Sequence, residues 1–590
     1  MCGIVGYIGP KSADSVLLVG LIRLEYRGYD SAGVALIDNN ELAIRKEKGK
    51  IRDLEELLRM QPVNGNIGIA HTRWATHGEP SKQNAHPHVD TKQKIAVVHN
   101  GIIENHLEIR SHLQSRGHVF HTETDTEVIP HLIEEELKTK GNMKDALESS
   151  MKMLRGRFAF VVIREQEPDK LYFARNGSPL VFGKGKNETF LASDISAIIP
   201  HAKEEYILKD GHWGWITQHG MNLFNGTGQI EDFHLVKVEL KLGEIDKGEH
   251  EHYMLKEIHE QPDVLRRIIS ERVDMDSGRV NLPEMKLPIE YLGRVTRIIA
   301  TSAGTSWHAA LVGKLYFERF AKIGTEVEFS SEFRYRNPIA EGDTMVIAIS
   351  QSGETADTIA GIHEAKAKFC RVLSFVNNTS SSIARESDGF IDLMAGPEIG
   401  VASTKAYTAQ LLSLLLFSLY MSGVKWIKSK EERIEIFKEI HKLPEKVEDV
   451  IARCDIIKKW AEELKEAKDF VFLGRNYNHP TALEGALKLK EISYVHASGY
   501  AGGEFKHGPI ALITEKVPVV CMAPKTEVYE KMVSNIQEVK ARKGKIISVI
   551  TEGDTIVPDL ADYYFTIPEA PDYLTPILTV IPLQFLAYYM

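Results

Sequence analysis

At 590 residues the chain exceeds what one hydrophobic core organises, and its length points to about three or four domains. A composition of 43% hydrophobic and 26% charged residues is that of an ordinary globular protein, and a net charge of −10 argues against a general nucleic-acid binder while leaving room for local basic pockets. Four cysteines (Cys2, Cys370, Cys454, Cys521) lie far apart and outside any C-x-x-C, which argues against a disulfide framework and fits a reducing, cytoplasmic compartment.

The chain opens on Met1-Cys2 and the apolar run Gly3-Ile4-Val5-Gly6. A cysteine after the initiator is small enough for Met1 to be trimmed, which would leave a thiol beside a free α-amine. That amine has a reference pKa near ~8, so one residue supplies both nucleophile and base. Lys11 interrupts a segment too short for a secretory h-region. Residues 1–240 read as short apolar strands between turn signals, such as Ile67-Gly68-Ile69-Ala70, Ile95-Ala96-Val97-Val98 and Phe158-Ala159-Phe160-Val161-Val162, with helical patterns at Lys11 to Tyr26 and Asp125 to Leu137. Helices covering stacked sheets are expected here.

Residues 241–288 turn polar and read as a connector entering a helix with Glu257 and Glu260. Its histidines (His250, His252, His259) lack H-E-x-x-H spacing and a nearby thiol, so no metal is expected. Two stretches, 289–430 and 431–590, then repeat a strand–glycine turn–helix unit: Ile298-Ile299-Ala300 into Gly304-Thr305-Ser306, Met345 to Ile349 into Ser350-Gln351-Ser352-Gly353-Glu354-Thr355, and Phe470 to Leu473 into Gly474-Arg475. This predicts a duplicated α/β domain with parallel sheets, divided in the charged helical stretch near Lys428 to Glu466. Ala406 to Val424 carries no charge and is long enough to span a bilayer, but scattered Thr408, Gln410, Ser413 and Ser418 mark it as a buried helix; no membrane association is expected.

Several runs carry chemistry. Arg73, in His71-Thr72-Arg73-Trp74, leaves a strand and suits a bidentate carboxylate clamp. In His99-Asn100-Gly101, expected at a strand end, an amide and a glycine N–H are two donors for a developing oxyanion. Asp125 either answers an ammonium or caps the helix it begins. With Cys2, these are the parts for hydrolysing a side-chain amide. In the second half, Ser350, Ser352 and Thr355 surround a glycine where a strand enters a helix, which suits a phosphate dianion. There is no Walker G-x-x-x-x-G-K-[ST] and no dinucleotide G-x-G-x-x-G, and no cofactor is expected. Glu484, Lys488 and Glu491 share one helix face, ordinarily a solvated ion-pair stripe. Here glycine and alanine flank them, and a loop with His507 follows, which suits proton transfer alpha to a carbonyl.

The first half resembles the class II glutamine amidotransferases through Cys2-Gly3-Ile4-Val5-Gly6, Tyr26-Arg27-Gly28-Tyr29-Asp30-Ser31-Ala32-Gly33, His71 to Trp74, His99-Asn100-Gly101 and Thr124-Asp125. The resemblance implies an N-terminal-nucleophile αββα sandwich in which Cys2 forms a glutamyl thioester. Asn100 and Gly101 would make the oxyanion hole, while Arg73 and Asp125 would hold glutamine's α-carboxylate and α-amino groups. The second half is similar to the paired, doubly wound sugar-isomerase (SIS) domains of the isomerizing glutamine–fructose-6-phosphate aminotransferases, including Ser330 to Arg336 and Glu398 to Lys405. That similarity implies transfer of glutamine's amide nitrogen to fructose 6-phosphate and isomerisation to glucosamine 6-phosphate. Ser350, Gln351, Ser352 and Thr355 would hold the phosphate, and Thr305, Ser306, Val401 and Ser403 would line the sugar site. Glu491 would move the proton between C1 and C2 with Lys488 assisting, and Trp74 would gate an internal ammonia channel. His507 would open the ring from a neighbouring subunit, so a homodimer is implied. The family continues past Met590 into a tail bearing a Schiff-base lysine. For a protein ending at Met590, impaired sugar turnover and ammonia retention with intact glutamine hydrolysis are expected.

Two other readings use the same residues. A different amidotransferase would need an S-G-G-x-D-S pyrophosphate loop or a PRPP loop, and neither is found. A sugar-phosphate-sensing binding protein with glutaminase activity only is opposed by Glu491 and His507.

Overall fold

The computed structural model describes residues 2–25, 28–238 and 247–590. Met1, Tyr26 and Arg27 of the expected motifs, and residues 239–246 at the expected start of the connector, lie outside the described residues. The chain forms two compact units, 1–246 and 247–590.

In the first unit, an eight-stranded antiparallel sheet has Gly3–Ile8 between Thr189–Ala192 and Ile67–Arg73. A seven-stranded antiparallel sheet has Ile95–Ile103 beside Gly156–Arg164. Period-2 alternation decides what each face meets. Ile4 and Ile8 turn one way, into a core with Ile69, Val98, Val161 and Phe173 from both sheets. Val5 and Tyr7 turn the other way, onto the helices Ala13–Leu24 and Ile51–Met60. On the far side Val97, Phe160 and Val162 meet the helices His106–Ser115, Val128–Lys140 and Met143–Met153. The result is the expected helix–sheet–sheet–helix sandwich.

In the second unit two five-stranded sheets, parallel throughout, share one topology. In each, the first strand in sequence (Arg297–Ser302; Asp469–Gly474) lies between the second (Gly324–Phe329; His496–Ala501) and the third (Thr344–Ser350; Pro518–Ala523). The chain reverses its winding between the first and third strands, so their carboxyl ends border a crevice, the usual ligand position in open α/β sheets. Thr305 and Ser350 follow or end those two strands in the first sheet. The apolar helix Lys405–Val424 lies buried within this unit, packed on the helices Gly304–Tyr316 and Gln261–Arg272. It is the single helix among the described residues long and apolar enough to cross a membrane. The segment read as connector supplies the helices Tyr253–His259 and Gln261–Arg272, whose Met254, Ile258, Leu265 and Ile268 join a core shared by both sheets.

Candidate active sites

In the first unit the strand Gly3–Ile8 begins beside Cys2, and its neighbour Ile67–Arg73 ends at the Trp74 turn. The Cys2 Sγ therefore sits 3.3 Å from the Trp74 N–H, which donates to it. Burial pushes the Cys2 thiol above its ordinary pKa, while the Trp74 N–H and the Arg73 charge pull it partly back. The resting group is thus a thiol that needs a base.

Asn100 and Gly101 lie inside the strand Ile95–Ile103 rather than at its end, because pairing with Gly156–Arg164 continues to Ile103. The Asn100 Nδ2 donates to the Cys2 carbonyl at 3.0 Å. Its orientation is decided by His71, whose Nε2 lies 3.0 Å from both the His99 carbonyl and the Asn100 Oδ1. Burial holds the His71 pKa down at about 3, so the ring is neutral and carries its one proton on Nε2, between two acceptors. That bond fixes the Asn100 oxygen inward and its NH2 toward Cys2. His71 was legible only as part of a motif; its role comes from pairing between strands distant in sequence. Gly101 sits at φ +122°, where an added Cβ would lie 1.9 Å from the Arg157 carbonyl oxygen, so no other residue fits.

Arg73 is buried, and its guanidinium donates to the carbonyls of His77, Gly78 (3.1 Å) and Glu79 (3.4 Å) on its own following loop. A carboxylate ligand competes well with neutral carbonyls for those donors, since charge-assisted bonds are about twice as strong. Asp125 does not cap the helix after it; its Oδ2 accepts from the Ile103 N–H at 2.8 Å. That ties it to the strand bearing Asn100. Cys2, Arg73, Trp74, Gly101, Thr124 and Asp125 line one cleft, so the thiol shares it with a carboxylate and a guanidinium.

In the second unit Glu484 and Lys488, on the helix Asn478–Ser493, are fully buried and ionic. The Lys488 Nζ donates to the Thr305 Oγ1 (3.0 Å) and the Glu491 Oε2 (2.6 Å), with the Glu484 Oε1 at 3.5 Å. Glu484 also accepts from the Thr305 Oγ1 (3.1 Å) and pairs with the His308 Nδ1 (2.6 Å). Despite the cost of burial, Lys488 and His308 hold the Glu484 pKa low, and Glu484 and Glu491 hold that of Lys488 high, so the pair stays charged. Residues of both sheets thus build one cluster. Glu484 was visible on the shared helix face but without a role; His308, one turn after Gly304-Thr305, was not singled out.

The loop Ser350 to Thr355 braces itself: the Ser350 Oγ meets the Thr355 Oγ1 at 2.9 Å and accepts from the Gly353 N–H at 3.1 Å, and the Ser352 Oγ accepts from the Glu354 N–H at 3.2 Å. Thr355 precedes the helix Ala356–Ala367, whose first N–H groups face this loop. The Gln351 carbonyl accepts from the Asn377 N–H at 3.2 Å. The Ser306 Oγ accepts from Gln410 (3.0 Å), and Ser403 donates to Glu398 (2.8 Å), whose other oxygen caps the helix starting at Lys405. Val401 and Trp74 are partly exposed, and His507 stands exposed on a short turn, outside the bonded cluster.

Known proteins match both halves. A glutamine amidotransferase domain matches residues 71–200, and a SIS domain matches 291–420 and 463–590. The chain is 44% identical over 592 residues to the glutamine–fructose-6-phosphate aminotransferase [isomerizing] of Clostridium perfringens, covering 100% of this chain and 97% of that one. It is 46% identical over 588 residues to the protein of the same name from Thermus thermophilus, covering 100% and 96%. The C-terminal domain of glucosamine-fructose-6-phosphate aminotransferase from Francisella tularensis superposes with a TM-score of 0.55 at 35% identity, covering 58% of this chain and 96% of that one. Identity of this extent over the full length, with a cleft bearing Cys2 in one unit and paired parallel sheets in the other, places the chain in the family of isomerizing glutamine–fructose-6-phosphate aminotransferases.

Proposed function

We propose that Cys2, with its amine freed, attacks the amide carbon of glutamine, while Asn100 Nδ2 and the Gly101 N–H receive the oxyanion. Expulsion of ammonia leaves a thioester, and water then releases glutamate. Arg73 takes glutamine's α-carboxylate, Asp125 takes its α-amine, and Trp74 gates ammonia on its way to the sugar. The acceptor is fructose 6-phosphate, its phosphate on Ser350, Gln351, Ser352 and Thr355, with Thr305, Ser306, Val401 and Ser403 about the sugar.

Ammonia replaces the C2 oxygen as an imine with loss of water. Glu491 removes a C1 proton to give an enaminol, and return of a proton to C2 leaves the amine at C2 and the aldehyde at C1. Lys488, held charged against Glu491, stabilises the anionic form of that base and the charge that develops in the sugar. His507, exposed here, serves ring opening from the partner subunit of a homodimer, and the enzyme works in the cytoplasm. The observation that carries this reading is the Thr305–Glu484–Lys488–Glu491 cluster, a buried ionic group joining both sheets in a chain that also bears the Cys2 cleft. With amide-15N glutamine and fructose 6-phosphate, the label is expected in glucosamine 6-phosphate by mass spectrometry. Label recovered as ammonia alone, with no amino sugar, would refute the transfer and leave a glutaminase that binds phosphosugar.

The phosphate loop has its own test. Gly353 sits at φ +67°, and a Cβ there would lie 2.0 Å from the Ser381 Oγ. Gly353→Ala displaces the loop, and a distortion of a few kcal/mol predicts a KM for fructose 6-phosphate raised about tenfold or more. Glutamine hydrolysis, carried by the other unit, is expected to stay within about twofold; an unchanged sugar KM would remove the loop from the phosphate site.

A further inference from the structure

In the first unit, outside everything the reaction uses, three potential metal ligands converge. His118 follows the helix His106–Ser115, and His131 and Glu134 lie on Val128–Lys140; all three are buried. The His118 Nδ1 is 3.2 Å from the His131 Nδ1 and 3.4 Å from the Glu134 Oε2, and the His131 Nδ1 is 4.0 Å from that oxygen. The Thr91 Oγ1 stands 3.3 Å and 3.2 Å from the two Nδ1 atoms. Four ligands at zinc distances of about 2.0–2.1 Å define a tetrahedron with edges of roughly 3.3–3.4 Å. Three corners are within reach of that figure. The hydroxyl of exposed Thr91 marks the fourth, where water or an outside ligand enters.

Proton counting leaves one buried nitrogen of this cluster, the His131 Nε2, unserved by hydrogen bonds among the described residues. The His118 Nε2 lies 3.1 Å from the Glu135 Oε2, an acceptor, and therefore carries a proton. With that proton on Nε2, a single-proton ring offers its Nδ1 as a lone pair 3.3 Å from the Thr91 hydroxyl, which can donate to it. The same Nδ1 stands beside a second imidazole nitrogen and the Glu134 carboxylate oxygen, which accepts from the Thr91 N–H at 3.2 Å. One proton on the His131 Nδ1 would relieve a single contact and leave that ring's Nε2 as a bare lone pair; the Nε2 is buried without a hydrogen-bond partner among the described residues, with the Glu127 Oε1 at 3.9 Å. A divalent cation relieves all the contacts together. It takes both Nδ1 lone pairs and the carboxylate, sends the His131 proton to Nε2 toward Glu127, and leaves His118 donating to Glu135. An imidazole bound at one nitrogen and held by a carboxylate at the other is the usual outer arrangement of zinc histidines.

We propose that His118, His131 and Glu134 form a binding site for a first-row divalent cation, zinc by preference, with one open position at Thr91. Its role is positional. Glu127, one turn before His131, accepts from the N–H groups of His121 (2.7 Å) and Thr122 (2.8 Å), and the same segment carries Thr124 and Asp125 into the glutamine cleft. The cation pins both ends of that segment to one helix.

The test uses the full chain, stripped of metal by a chelator and titrated with Co2+. One equivalent is expected to give the intense visible bands of four-coordinate cobalt without a thiolate charge-transfer band, displaced by Zn2+ and accompanied by a rise of several degrees in the unfolding temperature. His131→Gln and Glu134→Gln should abolish the bands while circular dichroism remains that of the parent. No bands in the parent, or bands retained in either folded variant, would overturn the site. Should neither variant fold, anomalous scattering from a zinc-soaked crystal of the parent decides: a peak between His118, His131 and Glu134 supports the site, and a peak only elsewhere, or none, overturns it.

Discussion

Cys2→Ala is expected to form no measurable glucosamine 6-phosphate from glutamine, a fall of about 10⁴-fold or more, because the group that bonds to the amide carbon is gone. The same protein given ammonium at alkaline pH, where free ammonia is plentiful, should still aminate fructose 6-phosphate at a rate comparable to the parent's. Both the sheet register at Gly3–Ile8 and the Trp74 turn survive the change, since the side chain contributes only the Sγ contact to Trp74. The contrast separates nitrogen release from nitrogen use. Loss of both activities would mean that the first unit takes part in the sugar chemistry, and retention of the glutamine reaction would remove Cys2 as nucleophile. A second signature belongs to the parent. Burial raises the Cys2 thiol, so the glutaminase rate should climb with pH as the proton becomes easier to give up and the α-amine is freed to take it. Mass spectrometry of the active protein should find Cys2 as its first residue.

Most of this was readable in the residues because the chemistry is carried by short runs. Cys2, Arg73 and the Ser350–Thr355 loop each suggest a function through residue type at a strand end or turn. Asn100-Gly101 does so by residue type, although the strand runs on past it to Ile103. The short apolar strands with helical patterns between them suggest helices covering stacked sheets. What was not readable depends on approach between segments far apart in sequence. Taken alone, Asp125 reads first as a helix cap; its partner, the Ile103 N–H, lies on a strand whose register no local pattern specifies. A helix with Glu257 and Glu260 was expected after the polar connector, but not that the apolar face of Tyr253 to Arg272 completes a core that both sheets share. His118 is separated by 13 residues from its partner His131, a spacing with no motif, so that cluster was invisible until the helix Val128–Lys140 was placed.

Glu484 and Lys488 illustrate the point most sharply, because an i, i+4 acid–base pair is ordinarily a surface ornament worth a few tenths of a kcal/mol. Burial changes its magnitude. Lys488→Met leaves the Glu484 carboxylate inside with only the Thr305 hydroxyl and His308, and removing one partner of a buried ion pair costs about 3–5 kcal/mol. Denaturant unfolding of the second unit should move accordingly, and glucosamine 6-phosphate formation should fall about 10²-fold or more, with glutamine hydrolysis intact. Glu484→Gln combined with Lys488→Met removes both charges, and much of the lost stability should return; the activity should not, because Glu491 still lacks its cation. That double-mutant cycle splits the two roles of one lysine. The pH dependence follows the same pair. Glu484, with its pKa held low in the fold, stabilises above the unfolded carboxylate value and ceases to as pH falls through its folded value. Lys488, held high, stabilises below the unfolded lysine value and ceases to as pH rises through its folded one. The parent should therefore hold a stability plateau between the carboxylate and lysine ranges, and the double variant should lose this pair's contribution at both edges. Recovery of activity along with stability in the double variant would show that Lys488 serves only to neutralise Glu484 and has no part in the proton transfer.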